Sequence, residues 1–322
     1  LTTRKINEKI EAYTSIYEDN EIEKDIDYGY TKRICDQFNI KLNLATITKK
    51  EIFNGDLLNR ISSFFDEPIA NLNIISSYKQ SKLANQNDLS VIITGDGADE
   101  IFGGYRKYQT LEISRKLKYL SFLNKKIKSY TIKNDKIPYL FFKKNDNENY
   151  KYIFKNDFFN SIIQIKNHLF ENYNEDNLTK LNKFDFYNWL PDEHNLKLDR
   201  CTMANSVEGR VPFQDLTILK FFNPEKIKNK INLNKNKLEL REAFSDLPNY
   251  ILNRKKRGWF LDDKKILKHF LQKNAYDLFK TNSGEEKIFN EENLLNSINQ
   301  DNKLLNKFSL TTIVMFKLWY RQ

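Results

Sequence analysis

The sequence predicts an α/β fold, with a parallel sheet in the first third of the chain and a mostly helical C-terminal half. Three observations carry this reading. Before residue 108, strand-like and helical runs follow one another as strand, helix, strand, helices, strand, the order in which a parallel sheet is wound. The third strand-like run, at the start of VIITGDGADEIFGGYRKY (91–108), stops on a glycine-punctuated group of carboxylates. After Tyr108 the strand-like runs thin out and helical spacing dominates to the end.

In order along the chain, LTTRKINEKI reads as the tail of a helix already under way, and EAYTSIY (11–17) as the first strand. The acidic EDNEIEKDID leads into a helix through YGYTKRICDQF, and LNLATIT (42–48) is the second strand. KKEIFNGDLLNRISSFF is then expected to be helical, with Leu57, Leu58, Ile61 and Phe64 on one face. Asp66-Glu67-Pro68 stops it, because the residue before proline disfavours helical geometry. A helix over 74–84 precedes a strand over 90–94, whose apolar run has the character of a buried parallel strand. NDNENYKYIFKND (145–157) is polar enough to read as a surface loop or insertion. The chain divides on this reading into an α/β part, 1–108, and a helical remainder, 109–322.

The 322 residues, 40% of them hydrophobic, can bury a substantial core, which excludes a disordered chain. Cys35 and Cys201 lie far apart with no CxxC or Cys/His cluster, so neither a disulfide framework nor a zinc site is indicated and a reducing, cytoplasmic setting fits. No apolar run approaches the length of a membrane span. The net charge of +10 would serve a polyanion if the basic residues shared a surface, but they are scattered among Asn and Ile as AT-rich codon usage would scatter them. The densest basic and aromatic stretch, 117–144, fits amphipathic helices with Lys on the wet face at least as well as a nucleic-acid surface.

Chemistry concentrates in three blocks. In the first, Asp96, Asp99 and Glu100 stand at the carboxyl end of a strand, where open α/β sheets bind ligands, and Gly95 and Gly97 are expected to supply positive φ and close backbone approach. Carboxylates repel phosphate, so such a loop suits a nucleotide only with Mg²⁺ between them. The same residues also fit a plain strand-to-helix turn, with Asp99 and Glu100 complementing the positive end of the helix. In the second block, LPDEHNLKLDRCTMANSVEGRVPFQD (190–215), polar residues occupy places a core helix does not need them. Glu208 and Arg210 could hold a polar substrate or form a buried structural ion pair. In the third, NRKKRGWF puts four consecutive basic residues before Gly258, and upstream Lys237 and Arg241 are spaced i and i+4, a pair suited to polyphosphate or merely to a solvated face.

Together these blocks resemble the synthetase domain of asparagine synthetases, glutamine-dependent enzymes that activate aspartate with ATP. Thr94-Gly95-Asp96-Gly97-Ala98-Asp99-Glu100 and Phe102-Gly103-Gly104-Tyr105 match the family's first block position by position. LPD at 190–192, DR at 199–200, SVEGRVPF at 206–213 and Asp215 match the second, and Arg254, Lys256, Arg257 and Gly258 the third. The resemblance implies a fold of the adenine nucleotide alpha hydrolase-like, pyrophosphatase-loop type. It implies ATP and Mg²⁺ as cofactors, an acyl-adenylate formed with loss of pyrophosphate, and an amide formed by ammonia. By that analogy Thr94, Gly95, Gly97, Ser15, Lys237 and Arg257 serve the nucleotide, Asp96 and Asp99 the metal, and Asp96, Glu100, Arg210 and Lys256 the chemistry. The implied partners are aspartate, ATP, ammonia from glutamine and an upstream glutaminase domain of the same protein, with a homodimer compatible and neither membrane nor nucleic acid expected.

Departures from the pattern carry expectations of their own. The family's Ser-Gly-Gly-x-Asp-Ser phosphate loop and its glutaminase domain do not occur in the 322 residues, so the chain reads as a fragment that by itself neither hydrolyses glutamine nor holds the ATP phosphates. Leu42-Asn43 stand where histidines are common, Asn71 where Asp is frequent, and Asp96 where some members have the longer Glu. The acceptor is thereby less defined than the reaction, since relatives with these blocks form other amides or a β-lactam ring.

Overall fold

The computed structural model describes residues 10–18, 26–48, 50–51, 55–120, 151–161, 164, 176–220, 222–254, 270, 278, 288–290, 292–294, 296 and 307–320. Its elements begin with β1 (Glu11–Tyr17), α1 (Ile26–Phe38), β2 (Lys41–Ile47), α2 (Asp56–Ser62), α3 (Ile74–Gln86) and β3 (Val91–Ile93). Next come α4 (Ala98–Phe102), α5 (Arg106–Leu120), α6 (Asn177–Phe184), a π-helix (Asp185–Asn195), α7 (Leu196–Met203) and β4 (Glu208–Arg210). Short helical segments follow, including α8 (Leu216–Leu219), α9 (Leu238–Ala243) and α10 (Asn249–Leu252), and then α11 (Lys307–Tyr320).

β1 and β2 pair in parallel, Glu11 opposite Lys41 and Tyr17 opposite Ile47, joined by α1 as the alternation requires. The stretch 49–65 is not one continuous helix. Gly55 has φ +77°, and a Cβ there would press within 2.7 Å of the Phe270 ring, so α2 starts afresh after it. Leu58 and Ile61 are fully buried, Leu57 and Phe64 flank the same core, and α2 ends at Ser62, before the Asp66-Glu67-Pro68 turn.

β3 departs further from expectation. It pairs in parallel not with β1 or β2 but with β4, Val91 opposite Glu208 and Ile93 opposite Arg210, so the described strands form two separate parallel pairs. Nor is it buried: Val91 is 38% and Ile93 67% exposed, because only one neighbour among the described residues borders it. The two pairs are bridged by helices. α3 packs on β1, β2 and α7, while α7 also packs on β4. Ser81 Oγ donates to the Cys201 carbonyl at 2.8 Å and Asn205 Nδ2 to Ser81 Oγ at 2.9 Å, which is the close approach that small residues permit.

The larger core draws on both sides of residue 108. Ile47, Ile61, Ile75 and Tyr78 share it with Ile153, Cys201, Phe289, Ile313 and Val314. The reading of 145–157 as a surface loop therefore fails where it can be compared. Ile153 and Phe154 are buried, and Phe154 bridges antiparallel to Phe289; residues 145–150 lie outside the described set. Most of the basic stretch 117–144 and the N-terminal 1–9 also lie outside it. Among the described residues no helix is long and apolar enough to cross a membrane. Cys35 and Cys201 are both buried and free.

Candidate active site

The site grows from the carboxyl end of β3. Thr94 N donates to the Arg210 carbonyl at 2.9 Å, extending the β3–β4 ladder by one step before the chain turns. Gly97 makes that turn at φ +92°, and a Cβ there would meet Gln214 Cγ at 2.7 Å. Gly95 differs from expectation: its φ is not in the left-handed range and a Cβ there would meet nothing within 4 Å, so only Gly97 uses the freedom of glycine. α4 lasts five residues before Gly103, at φ +70°, ends it. The three acids are thereby fanned to different partners.

Asp96 faces the π-helix. Thr94 Oγ1 donates to its Oδ2 at 2.7 Å, and His194 Nδ1 stands 3.6 Å from its Oδ1. Burial alone would raise this carboxyl, but the His194 ring, the Lys197 ammonium and the Thr94 hydroxyl hold it down to about 2. Glu100 behaves oppositely. It is 1% exposed, and burial pushes it up although Tyr105 donates its hydroxyl proton to Oε1 at 2.5 Å. Two acids four residues apart are thus driven in opposite directions, a pattern more often found in reactive sites than in plain turns.

Asp99 meets a third partner, the Lys237 ammonium, at 2.8 Å. That side chain reaches it because Lys237 caps α9 in the left-handed conformation, φ 52°, and because Gly104 has no Cβ to obstruct the pair. Behind these residues lies a buried scaffold. Asp185 is fully buried, accepts from Lys107 Nζ at 2.6 Å and from Tyr108 Oη at 2.5 Å, and burial pushes its carboxyl up. Asn182 Nδ2 donates to the Glu100 carbonyl at 2.7 Å, and Asn71 Nδ2 ties Glu193 of the π-helix to the segment before α3 at 2.5 Å.

The π-helix is the unusual element. It runs for eleven residues and contains Pro191, which offers no N–H to a helical ladder. Such wide turns are rare and cluster at functional sites. Here it delivers His194 to Asp96 and Glu100.

A polar cleft of about 310 Å³ opens beside β3, with Asn73, Ser76, Gln80, Thr94, Asp96 and Lys197 in its walls. A second cavity, about 460 Å³, is apolar along Phe213, Leu240 and Phe244. Its cations are engaged elsewhere: Lys237 with Asp99, Arg254 with Asp27, and Arg241 with the Asn236 and Arg254 carbonyls. Lys237 and Arg241 accordingly do not present a joint face for polyphosphate.

Of the residues singled out in the sequence, Thr94, Asp96, Gly97, Asp99 and Glu100 gather in this loop. Ser15 is 2% exposed, its hydroxyl shared between Ser76 and Gln80 at 2.8 Å each, so it lies behind the cleft wall rather than on it. Arg210 contributes its carbonyl to Thr94, while its guanidinium forms an exposed two-bond pair with Glu208, neither buried nor turned inward. Lys256 and Arg257 lie outside the described residues. Tyr105 belongs to the matched Phe102-Gly103-Gly104-Tyr105 run but carries no assigned role there, and His194 and Lys197 are not among the sequence candidates, although both sit in the block whose surplus of polar residues was the available signal.

The acids do not fit a resident Mg²⁺ as they stand. Asp99 already holds an ammonium where a cation would sit, Asp96 is engaged by Thr94 and His194, and no group of three or more His, Cys, Asp or Glu among the described residues could hold a metal ion.

Loop, cleft and opposed carboxyls make the end of this parallel strand the candidate ligand site, and comparison with known proteins supplies the class. The sequence model of the asparagine synthase family matches residues 1–321, and the chain belongs to that family. It is 25% identical over 303 residues to asparagine synthetase [glutamine-hydrolyzing] 1 of Bacillus subtilis, a match covering 86% of this chain and 47% of the relative. A putative asparagine synthetase [glutamine-hydrolyzing] of Mycobacterium tuberculosis is 25% identical over 226 residues, covering 63% and 34%. One from Methanocaldococcus jannaschii is 30% identical over 87 residues, covering 26% and 16%. The chain spans less than half the length of the curated relatives it matches.

Proposed function

We propose that the full-length protein is an ATP-dependent ligase that turns the side-chain carboxylate of aspartate into the amide of asparagine, with ammonia drawn from glutamine by a glutaminase domain. In the first step a carboxylate oxygen attacks the α-phosphorus of ATP and pyrophosphate leaves. In the second, ammonia attacks the acyl carbon, AMP leaves with the electron pair of the broken acyl–oxygen bond, and the nitrogen gives up a proton.

The observation that carries the reading is Asp96, ionised beside Lys197 in a polar cleft at the end of β3. A carboxyl held down to about 2 is a weak base but a strong electrostatic partner, so its role is to stabilise the positive charge that grows on the attacking nitrogen. Lys197, on the same cleft wall, suits the substrate carboxylate. Thr94, Gly95 and Gly97 would face the nucleotide, while Lys256, with Arg257 beside it, would offset the charge leaving with pyrophosphate. One such preorganised contact is worth on the order of 3 kcal/mol of barrier, about a hundredfold in rate. Mg²⁺ would enter with the nucleotide phosphates, and no step assigned to these residues passes through it.

The test is ATP–pyrophosphate exchange by the full-length protein in the presence of aspartate and of a panel of other carboxylates. Aspartate-dependent exchange is expected, with Asp96→Ala and Lys256→Ala abolishing synthesis and sparing glutamine hydrolysis. Exchange that ignores the carboxylate supplied, or synthesis that survives both substitutions, would refute the assignment.

A further inference from the structure

His194 has no part in the two steps above, yet it touches both opposed acids. Its ring is gripped from its own helix: Trp189, five residues earlier and so one π turn away, donates its indole N–H to His194 Nε2 at 3.0 Å. An indole N–H is a donor only, so Nε2 must present its lone pair, and the ring proton of the neutral imidazole must reside on Nδ1. The Tyr105 hydroxyl gives its own proton to Glu100 and could only accept from Nε2, but at 3.3 Å it is the longer contact, and the Trp189 N–H, which can only donate, already occupies the Nε2 lone pair. Nδ1 is the nitrogen that faces Asp96, 3.6 Å from Oδ1. That separation is longer than a formed hydrogen bond, as catalytic contacts often are in ligand-free structures.

We propose that His194 is a positioning residue for Asp96: fixed by Trp189 with its proton on Nδ1, it holds Oδ1 while the Thr94 hydroxyl holds Oδ2, and so sets the plane in which the carboxylate meets the substrate nitrogen. The proposal rests on the ligase reading of Asp96. The groups facing the ring are Asp96 from the loop after β3, Glu100 from α4, Tyr105 from the turn before α5, and Asp185 and Trp189 from the π-helix. Among the described residues Trp189 is the one donor aimed at Nε2, and Nδ1 is the nitrogen nearest Asp96.

Two measurements test it. Long-range ¹H–¹⁵N spectra of the histidine-labelled full-length protein, with the His194 signals identified by their loss in His194→Asn, read the ring directly. The proton is expected on Nδ1 in the unmodified protein and distributed over both nitrogens in Trp189→Phe. A ring protonated chiefly on Nε2 overturns the proposal. In the full-length protein, His194→Asn keeps an amide N–H near the place of Nδ1, whereas His194→Gln carries it towards Nε2. Synthesis by the Gln variant should lose about thirtyfold in kcat with KM for ATP and carboxylate unchanged, and the Asn variant should stay within about threefold of the parent. Equal losses in both variants, or an effect on KM alone, overturn it. Absence of carboxylate-dependent exchange in the unmodified protein would instead overturn the ligase reading, with the nitrogen spectrum still deciding the geometry.

Discussion

Replacing Asp96 by Asn isolates the electrostatics of the loop. The Asp96 carboxyl stands at about 2 against an ordinary 3.8, and its side chain is only 25% exposed, so solvent screens little of the effect. Because the folded value lies below the unfolded one, the stabilisation is fully present above the unfolded value and is lost as pH falls through the folded one. The gap corresponds to about 2.5 kcal/mol, at roughly 1.4 kcal/mol per pH unit. Asn has no charge to engage Lys197 or the His194 ring, so the variant should be less stable than the parent by about that amount near pH 6. The difference should shrink below about pH 4 and close near pH 2. Urea denaturation followed by tryptophan fluorescence, with equal m values, supplies the two curves to subtract. The pH dependence of the difference carries the test rather than its size at one pH. A difference that stays constant, or widens towards acid, would refute the account of Asp96.

Two further substitutions probe the support of the loop. In Gly104→Ala the new Cβ overlaps Asp99 Oδ1 and Lys237 Cε outright, so the pair must separate, at a cost of about 3 kcal/mol in urea midpoint experiments; a loss below about 0.5 kcal/mol would sink the close-approach argument. Lys107→Met strips the buried Asp185 of its cation and should cost about 3 kcal/mol near neutral pH. Burial has already raised that carboxyl, so the folded state binds the proton more tightly than the unfolded one and the penalty should ease as pH falls. Restoration of stability by adding Asp185→Asn would confirm the cause, and a penalty independent of both pH and the second change would reject it.

What was legible in the chain follows from where each signal resides. β1, β2 and α3 carry their own apolar spacing, and their limits fall within two residues of the expected ones. β4 is Glu-Gly-Arg, with no apolar run at all, and is a strand only because β3, more than a hundred residues earlier, pairs with it. The reverse error arose at β3, where Val-Ile-Ile reads as buried from composition although Ile93 faces outward. A five-residue turn is likewise indistinguishable from an α-helix in a run as short as Asp185–Asn195, so the displacement that brings His194 beneath Asp96 had no local signature. The acids of the loop were legible because a glycine-spaced carboxylate cluster is a pattern within seven residues. Their protonation was not, since His194, Lys197 and Lys237 lie roughly a hundred or more residues downstream and no spacing rule connects them. Local sequence therefore names the groups that could react, while the packing of α4 against the π-helix, and of Lys237 on Asp99, decides which is ionised and which is already paired. A single change in either contact should move the chemistry of the loop without altering any of its seven residues.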